Sequence, residues 1–185
     1  SGDYTAILRA VAEMVHVLER DARGDSSATV GVGIPGAASP VTGLIKNANS
    51  TCLIGRALDR DLALATGRQV RLANDANCFV VSEAADGAAQ GARVAFGVIL
   101  GTGVGGGIAL EGRAWAGANV IAGEWGHNPL PWPNPDELPG VPCYCGKRGC
   151  IETFLSGPAL ARDYAARAGG RKSLMSSSRI RSALM

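Results

Sequence analysis

Hydrophobic side chains near the start of the chain recur at helical spacing. Ile7, Val11, Met14 and Leu18 are three or four residues apart, with charged residues on the other faces, which predicts an amphipathic helix over residues 4–20. Further along, short apolar runs predict strands at 29–34, 70–73, 94–100 and 106–110, and helices are predicted at 56–66, 76–85 and 157–168. Alternating helices and strands favour an α/β fold.

The remaining stretches lack such periodicity. A polar turn is expected at 23–27, a proline-rich loop at 132–140, and the residues from Gly170 onward are polar and basic. The chain has 185 residues, of which 46% are hydrophobic and 18% charged, as in globular proteins. A formal charge of +2 gives no reason to expect a nucleic acid or an acidic membrane surface as partner. No apolar run predicts a transmembrane helix, and the cysteine usage suits a reducing cytoplasm.

One histidine and three cysteines are spaced like metal ligands. Fifteen residues separate His127 from Cys143, one separates Cys143 from Cys145, and four separate Cys145 from Cys150. One imidazole and three thiolates form a closed tetrahedral set that suits a structural Zn²⁺ ion. The alternative is a set of disulfides or unrelated thiols, although three thiols would leave one unpaired.

Asn74 and Asp75 stand where a predicted strand ends and a helix begins. Ligands of open α/β sheets bind outside the carboxyl ends of strands. Asp75 is therefore a candidate general base that takes a proton from a substrate hydroxyl. The alternative is that Asp75 is the N-cap of the helix.

A glycine-rich segment, G-T-G-V-G-G-G, follows the apolar strand that ends at Leu100. Its backbone N–H groups and the Thr102 hydroxyl could approach an anion closely. The segment lacks the lysine of a P-loop and leads into a strand rather than a helix. A glycine-rich hairpin turn would have a similar sequence.

Two carboxylates, Glu124 and Glu152, flank the proposed metal ligands. Together with the His127 imidazole they could hold several hydroxyl groups at fixed angles, as a sugar site requires. The alternative is that both glutamates are ordinary surface residues and that His127 is only a metal ligand.

These segments together resemble the ROK family of bacterial sugar kinases and repressors. The matching motifs are V-G-I-P-G at 32–36, N-D-A-N-C at 74–78, the glycine-rich segment, A-G-E-W-G-H at 122–127 and C-Y-C-G-K-R-G-C-I-E-T at 143–153. Within the family, K-N-A-N-S-T and G-E-W-G-H-N-P-L-P-W look most like bacterial fructokinases. The expected activity is therefore ATP-dependent phosphorylation of a hexose, with D-fructose as the expected substrate and fructose 6-phosphate as the product.

The resemblance implies a two-domain, actin-like (ribonuclease H-like) fold, with residues 1–88 in the smaller domain and 89–185 in the larger one. It implies that Asp75 is the catalytic base, that Gly36 lies near the cleft, and that a homodimer forms in the cytoplasm. The implied ligand sets are Asn74, Asp75, Gly103, Glu124, His127 and Glu152 for the sugar; Gly101, Thr102, Gly103, Gly105 and Gly106 for ATP with Mg²⁺; and His127, Cys143, Cys145 and Cys150 for Zn²⁺.

Two family motifs have no counterpart in the sequence. The family opens on a strand with the motif D-x-G-G-T, which meets ATP and Mg²⁺, and carries a C-terminal glycine motif near the adenosine. The expectation is a chain truncated at both ends, with incomplete ATP machinery and no activity alone. Two rivals stay open: a sugar-sensing repressor of the same family, and an inactive fragment that binds only sugar or zinc.

Overall fold

Helices and strands alternate along the computed structural model, which describes residues 2–22 and 28–168. The helices are α1 (Tyr4–Ala22), α2 (Leu58–Thr66), α3 (Asp75–Asp86), α4 (Glu152–Leu155) and α5 (Gly157–Arg167). The strands are β1 (Val30–Ile34), β2 (Ala37–Ala38), β3 (Ile45–Lys46), β4 (Val70–Asn74), β5 (Val94–Leu100), β6 (Val104–Leu110) and β7 (Arg113–Ala114).

All eight helices and strands predicted from the sequence are present, with small shifts of their ends. The helix expected from residue 56 begins at Leu58, and the strand expected from residue 106 begins at Val104. The strands β2, β3 and β7 and the short helix α4 were not predicted. The expected turn at 23–27 and the basic segment after Gly170 lie outside the described residues.

The described residues up to Gly97, together with Gly106–Gly123, form one compact unit, and Val98–Gly105 with the residues from Glu124 form another. The assignment of two domains that meet after residue 88 stays a prediction. Within the described part of the chain, no helix is both long and apolar enough to cross a membrane.

The first unit is built on a parallel pair of strands. β1 pairs with β4 in a register that runs from Val30 opposite Val70 to Ile34 opposite Asn74. Ile34 at the end of β1 packs into a buried core with residues of β3 and α2, and the apolar face of α1 covers this core. The register brings the carboxyl ends of both strands to the same edge, which is where ligands bind in such sheets.

The helices α1 and α2 are also joined by polar contacts. The Tyr4 hydroxyl donates to Oδ2 of Asp61 at 2.5 Å, and the Arg56 guanidinium carbon lies 5.0 Å from the centroid of the Tyr4 ring. Arg68, just after α2, forms an ion pair with Glu19 of α1. These contacts fix the helix that covers the core.

A second sheet has the strand order β5-β6-β7. Its central strand β6 is largely buried and contains three consecutive glycines, Gly105, Gly106 and Gly107. A Cβ atom at Gly107 would lie 2.5 Å from the carbonyl oxygen of Ala76 in α3. The absence of a side chain at this position therefore allows α3 to approach the strand.

The second unit holds the metal-like residues in a loop rather than in regular structure. Two isolated antiparallel bridges, Pro129 with Cys150 and Pro142 with Arg148, fold residues 129–150 back on themselves. A one-turn 3₁₀ helix, Pro135–Glu137, interrupts the predicted proline-rich loop. After the loop, α5 begins at an N-cap, Ser156, whose hydroxyl accepts from the Ala159 N–H at 3.3 Å.

Candidate functional site

Asn74 joins the ends of β1 and β4 to the start of α3. Its Oδ1 accepts from the Asn77 N–H at 3.1 Å, which makes Asn74 the N-cap of the helix. Its Nδ2 donates to the Gly36 carbonyl at 3.1 Å. The side chain therefore sets the geometry of the strand ends.

Asp75 is the first residue of α3 and is exposed to solvent. Its Oδ1 accepts from the Ala76 N–H at 2.8 Å. The alternative role for Asp75, as the N-cap of this helix, is wrong, because Asn74 has that role. A carboxylate at the exposed start of a helix, at the carboxyl end of a parallel strand, is accessible to a ligand. Its assignment as general base stays a prediction.

The four predicted metal ligands come together in the second unit. One donor atom from each of His127, Cys143, Cys145 and Cys150 lies within 4.8 Å of all the others. Cys143 Sγ is 3.5 Å from His127 Nδ1, and Cys145 Sγ is 3.6 Å from Cys150 Sγ. A zinc tetrahedron with Zn–S bonds of about 2.3 Å has edges of about 3.8 Å. The cluster is therefore compatible with a structural zinc ion.

The disulfide alternative does not fit this geometry. All five cysteines are free thiols, and sulfur atoms 3.6 Å apart are well beyond the length of a disulfide bond, about 2.05 Å. Burial, followed by the neighbouring thiols, raises the pKa of Cys150 to about 12. A hydrogen bond from the Lys147 backbone lowers the pKa of Cys145. A cation would favour the thiolate form at both positions.

The two ring nitrogens of His127 have different neighbours. Nδ1 faces the Cys143 sulfur, and Nε2 is 3.0 Å from the Tyr144 hydroxyl. The Tyr144 ring meets the imidazole edge-on, with 5.0 Å between ring centroids, and burial raises the pKa of this tyrosine. Tyr144 thus fixes the orientation of the ring while Nδ1 remains the candidate metal ligand.

Glu152 contacts the glycine-rich turn instead of lying free on the surface. Its Oε2 accepts from the Val104 N–H at 2.8 Å, at the start of β6. A Cβ atom at Gly103 would lie 2.6 Å from the same oxygen, so the carboxylate approaches closely because residue 103 is glycine. The structure therefore brings two separate motifs, the glycine-rich segment and C-Y-C-G-K-R-G-C-I-E-T, into direct contact.

The glycine-rich segment is a hairpin turn between β5 and β6, as its alternative interpretation predicted. The Gly101 N–H donates to the Gly103 carbonyl at 2.9 Å, and the Gly101 carbonyl accepts from the Gly157 N–H at 2.7 Å. Thr102 at the turn is exposed. A Cβ atom at Gly106 would lie 2.8 Å from the Gly97 carbonyl oxygen. Packing alone thus explains glycine at 106, and the binding of ATP by this turn stays a prediction.

Glu124 and Trp125 precede the histidine. Glu124 is exposed, whereas the Trp125 indole N–H donates to the Gly105 carbonyl at 2.8 Å and so holds this segment against β6. Of the predicted sugar ligands, Asn74 and Asp75 belong to the first unit, and Gly103, Glu124, His127 and Glu152 belong to the second. Their joint action on one sugar stays a prediction.

Three side chains that shape these regions were missed in the sequence: Tyr144, Trp125 and Asn77. Tyr144 lies between two metal ligands, and this position could have suggested a supporting role. The indole of Trp125 gave no comparable signal, because its partner is a backbone carbonyl 20 residues away. Asn77 gave none either, because it lines a cavity that only the folded chain forms.

Comparison with known proteins gives a consistent result over most of the chain. The ROK family model matches residues 2–183. An N-acetyl-D-glucosamine kinase of Pectobacterium atrosepticum is 42% identical over 159 residues, which are 84% of this chain and 52% of that protein. The chain spans about half the length of the curated relatives it matches.

Solved structures share the fold. The ROK hexokinase from Thermus thermophilus superposes with a TM-score of 0.72 at 34% identity, over 91% of this chain and 54% of that one. A ROK family transcriptional regulator, a homolog of the E. coli MLC protein, gives a TM-score of 0.73 at 26% identity, over 91% of this chain and 42% of that one. Likeness of fold therefore does not separate a kinase from a regulator.

Proposed function

Because the chain belongs to the ROK family and has the actin-like α/β fold of its sugar kinases, we propose that this protein phosphorylates a hexose with ATP. The proposal depends mainly on the position of the Asp75 carboxylate. Its exposed carboxylate stands at the carboxyl end of β4, beside Asn74, in the place where a substrate hydroxyl could meet a base.

In the proposed reaction, a sugar hydroxyl oxygen forms a bond to the γ-phosphorus while the bond from that phosphorus to the bridging oxygen of ADP breaks. The hydroxyl proton passes to the Asp75 carboxylate. Such transfers depend mainly on positioning and on neutralising the charge of the phosphoryl oxygens. Mg²⁺ bound to ATP would supply that neutralisation, and Gly101, Thr102, Gly103, Gly105 and Gly106 are the proposed phosphate contacts.

The metal cluster would shape the sugar site without taking part in the phosphoryl transfer. Zinc held by His127 and the three cysteines would fix the loop that leads to Glu152. Glu124 and Glu152 are proposed contacts to sugar hydroxyls in this unit. His127 is the third, through an Nε2–H that turns from the Tyr144 hydroxyl to a sugar hydroxyl when the sugar binds. For Glu152, the hydrogen bond with Val104 supports this role, because it orients the carboxylate.

For the substrate, N-acetyl-D-glucosamine takes precedence over the D-fructose predicted from sequence. The curated relatives that are 41–42% identical carry the name N-acetyl-D-glucosamine kinase. The similarity to fructokinases was limited to short segments, such as K-N-A-N-S-T. Fructose, glucose and mannose remain candidates within the same reaction class.

The test is ADP release by the gene product that contains these residues, with Mg²⁺, ATP and a panel of N-acetyl-D-glucosamine, fructose, glucose and mannose. We expect turnover with at least one hexose and the highest kcat/KM with N-acetyl-D-glucosamine. Absence of turnover with every sugar, together with sugar-dependent binding to an operator DNA, would instead identify a regulator. Assay of the 185-residue chain alone tests the expectation that it binds sugar without turnover.

A further inference from the structure

Tyr144 lies between the candidate metal ligands Cys143 and Cys145, and its hydroxyl reaches a ring nitrogen of His127. The phenolic oxygen is 3.0 Å from His127 Nε2, and the two rings meet edge-on with an interplanar angle of 85°. The tyrosine as a whole is 79% exposed. Its side chain can therefore rotate into solvent without opening a cavity in the core, as exposed side chains do on a fast timescale.

The Tyr144 hydroxyl lies where the proposed sugar contacts converge. Burial is the first cause that raises its pKa, and the negative charge of Glu152 is the second, with a further contribution from Glu124. Charges act in this way only at short range, so both carboxylates lie near the phenolic oxygen. A neutral hydroxyl that can donate and accept thus stands beside an imidazole nitrogen and two carboxylates, which is the arrangement proposed for a sugar hydroxyl.

The tautomer of His127 decides which hydrogen bond forms at this point. When Nδ1 is a metal ligand, the ring proton is on Nε2, and the Tyr144 oxygen accepts from it. The oxygen of a sugar hydroxyl would accept from the same N–H. One N–H makes one strong hydrogen bond, because its strength falls steeply away from a linear geometry. The tyrosine oxygen and the sugar oxygen therefore compete for His127.

We propose that the Tyr144 hydroxyl occupies the position of a sugar hydroxyl in the sugar-free protein and must leave His127 Nε2 before the sugar binds. The inference rests on the proposed hexose kinase function and identifies Tyr144 as a residue that sets sugar affinity. Only the fraction of molecules with Tyr144 displaced can bind, so the apparent Kd exceeds the intrinsic Kd by the inverse of that fraction. One hydrogen bond of typical net strength makes this factor about three- to ten-fold.

Tyr144→Phe tests the competition, because it keeps the ring and removes the hydroxyl. Titration calorimetry on the zinc-loaded gene product that contains these residues, with N-acetyl-D-glucosamine, fructose, glucose and mannose, measures Kd for each sugar. The Kd of the tightest-binding sugar should be about three- to ten-fold lower in Tyr144→Phe than in the unsubstituted protein. Tyr164→Phe removes a phenolic hydroxyl on α5 and is the matched control, with an unchanged Kd.

The direction of the change separates competition from simple support of the imidazole. If Tyr144 only held His127 in place, loss of the hydroxyl would raise Kd and lower the zinc content measured by elemental analysis. That result, or an unchanged Kd, would overturn the inference while leaving the kinase proposal intact.

The Nε2–H of His127 gives a second readout that needs no turnover. Its signal in ¹H–¹⁵N spectra is identified by its loss in His127→Gln. Without sugar, this proton should exchange with water about ten-fold faster in Tyr144→Phe than in the unsubstituted protein, and added sugar should restore slow exchange in the variant. If this pattern and the lower Kd are found but no hexose is phosphorylated, the kinase proposal fails and the inference stands. If no sugar binds, both fail.

Discussion

At the scale of single residues, the surroundings of His127 differ on the two sides of its ring. Nδ1 faces sulfur, and Nε2 faces a phenolic oxygen. An imidazole can bind a metal through one nitrogen only if the other is compatible with the same tautomer. The Tyr144 hydroxyl can accept from an Nε2–H, which leaves the Nδ1 lone pair for the metal.

The metal cluster predicts a selective effect of cysteine substitution. Cys150→Ser should lower bound zinc from about one ion per chain to near zero, because a closed tetrahedral site needs all four ligands. Loss of the ion should also lower the melting temperature. Elemental analysis after purification without chelator measures the first effect. Cys78→Ser, at an exposed cysteine outside the cluster, should retain the full zinc content.

The role of Asp75 can be separated from a role in folding. Asp75→Asn should lower kcat by on the order of 10² or more while sugar binding persists, because the amide cannot accept the proton in the transition state. Asp86→Asn, at the other end of α3, is the matched control and should leave kcat unchanged. Near-native turnover of Asp75→Asn, measured by ADP release, would exclude Asp75 as the base.

The sequence could predict that His127 and the three cysteines cluster, because they lie within 24 residues of one another in a single loop, where their spacing is typical of metal ligands. That they bind zinc stays a prediction. It could not predict that Glu152 accepts from Val104, since this contact joins positions 48 residues apart. The fold, and not the local pattern, brings such pairs together.

At the scale of secondary structure, the contact between α1 and α2 depends on Tyr4. Burial, and then the hydrogen bond to Asp61, raises the pKa of the Tyr4 hydroxyl above its ordinary value of 10.0. A raised folded-state pKa means that the stabilisation is complete at neutral pH and is lost as the pH rises above about 10. The contact between α1 and α2 should therefore weaken at alkaline pH.

Tyr4→Phe tests this contact. The variant should lose about 1 kcal/mol of unfolding free energy at pH 7, the typical net contribution of one hydrogen bond. Between about pH 9 and about pH 11, the stability of the unsubstituted protein should fall more steeply than that of the variant. Urea unfolding at each pH measures both effects. Tyr164→Phe on α5 should follow the unsubstituted protein, and an identical pH profile for Tyr4→Phe would contradict the role of the hydroxyl.

Long elements were predictable and short ones were not. Helices and strands of five to nineteen residues, such as α1 and β5, are long enough for the hydrophobic period to repeat and be recognised in the sequence. The strands β2, β3 and β7 have two residues each, and α4 has four. Their positions follow from hydrogen-bonding partners supplied by the rest of the fold, which no local pattern records.

At the scale of the whole molecule, two surfaces of the described chain favour association. Among the described residues, β1 pairs only with β4, which leaves its other edge without a neighbouring strand. One face of β5 exposes Val94, Phe96, Val98 and Leu100, each at least 43% exposed. Unpaired strand edges and contiguous apolar surface both promote contact between chains.

The 185-residue chain should therefore self-associate as its concentration rises. Val94→Thr with Val98→Thr keeps the β-branched shape of both residues but makes the exposed face of β5 more polar, and should reduce association. Light scattering over a concentration series measures the change. Val17→Thr, at an exposed apolar position of α1, is the matched control. A monomer at every concentration would contradict the expectation, and the predicted homodimer remains a separate prediction.

The tight packing around β6, against α3 at Gly107 and against the Gly97 carbonyl of β5 at Gly106, determines which substitutions the strand tolerates. Gly106 and Gly107 admit no Cβ atom without moving backbone, whereas nothing lies within 4 Å of a Cβ at Gly101 or Gly105. In a selection for folded protein alone, alanine should be depleted at 106 and 107 and accepted at 101 and 105. Invariance at the first pair is therefore no sign of nucleotide recognition. If selection for growth on a sugar also required glycine at 101 and 105, this requirement would come from function rather than packing. It would indicate that the backbone at these two positions binds a phosphate group.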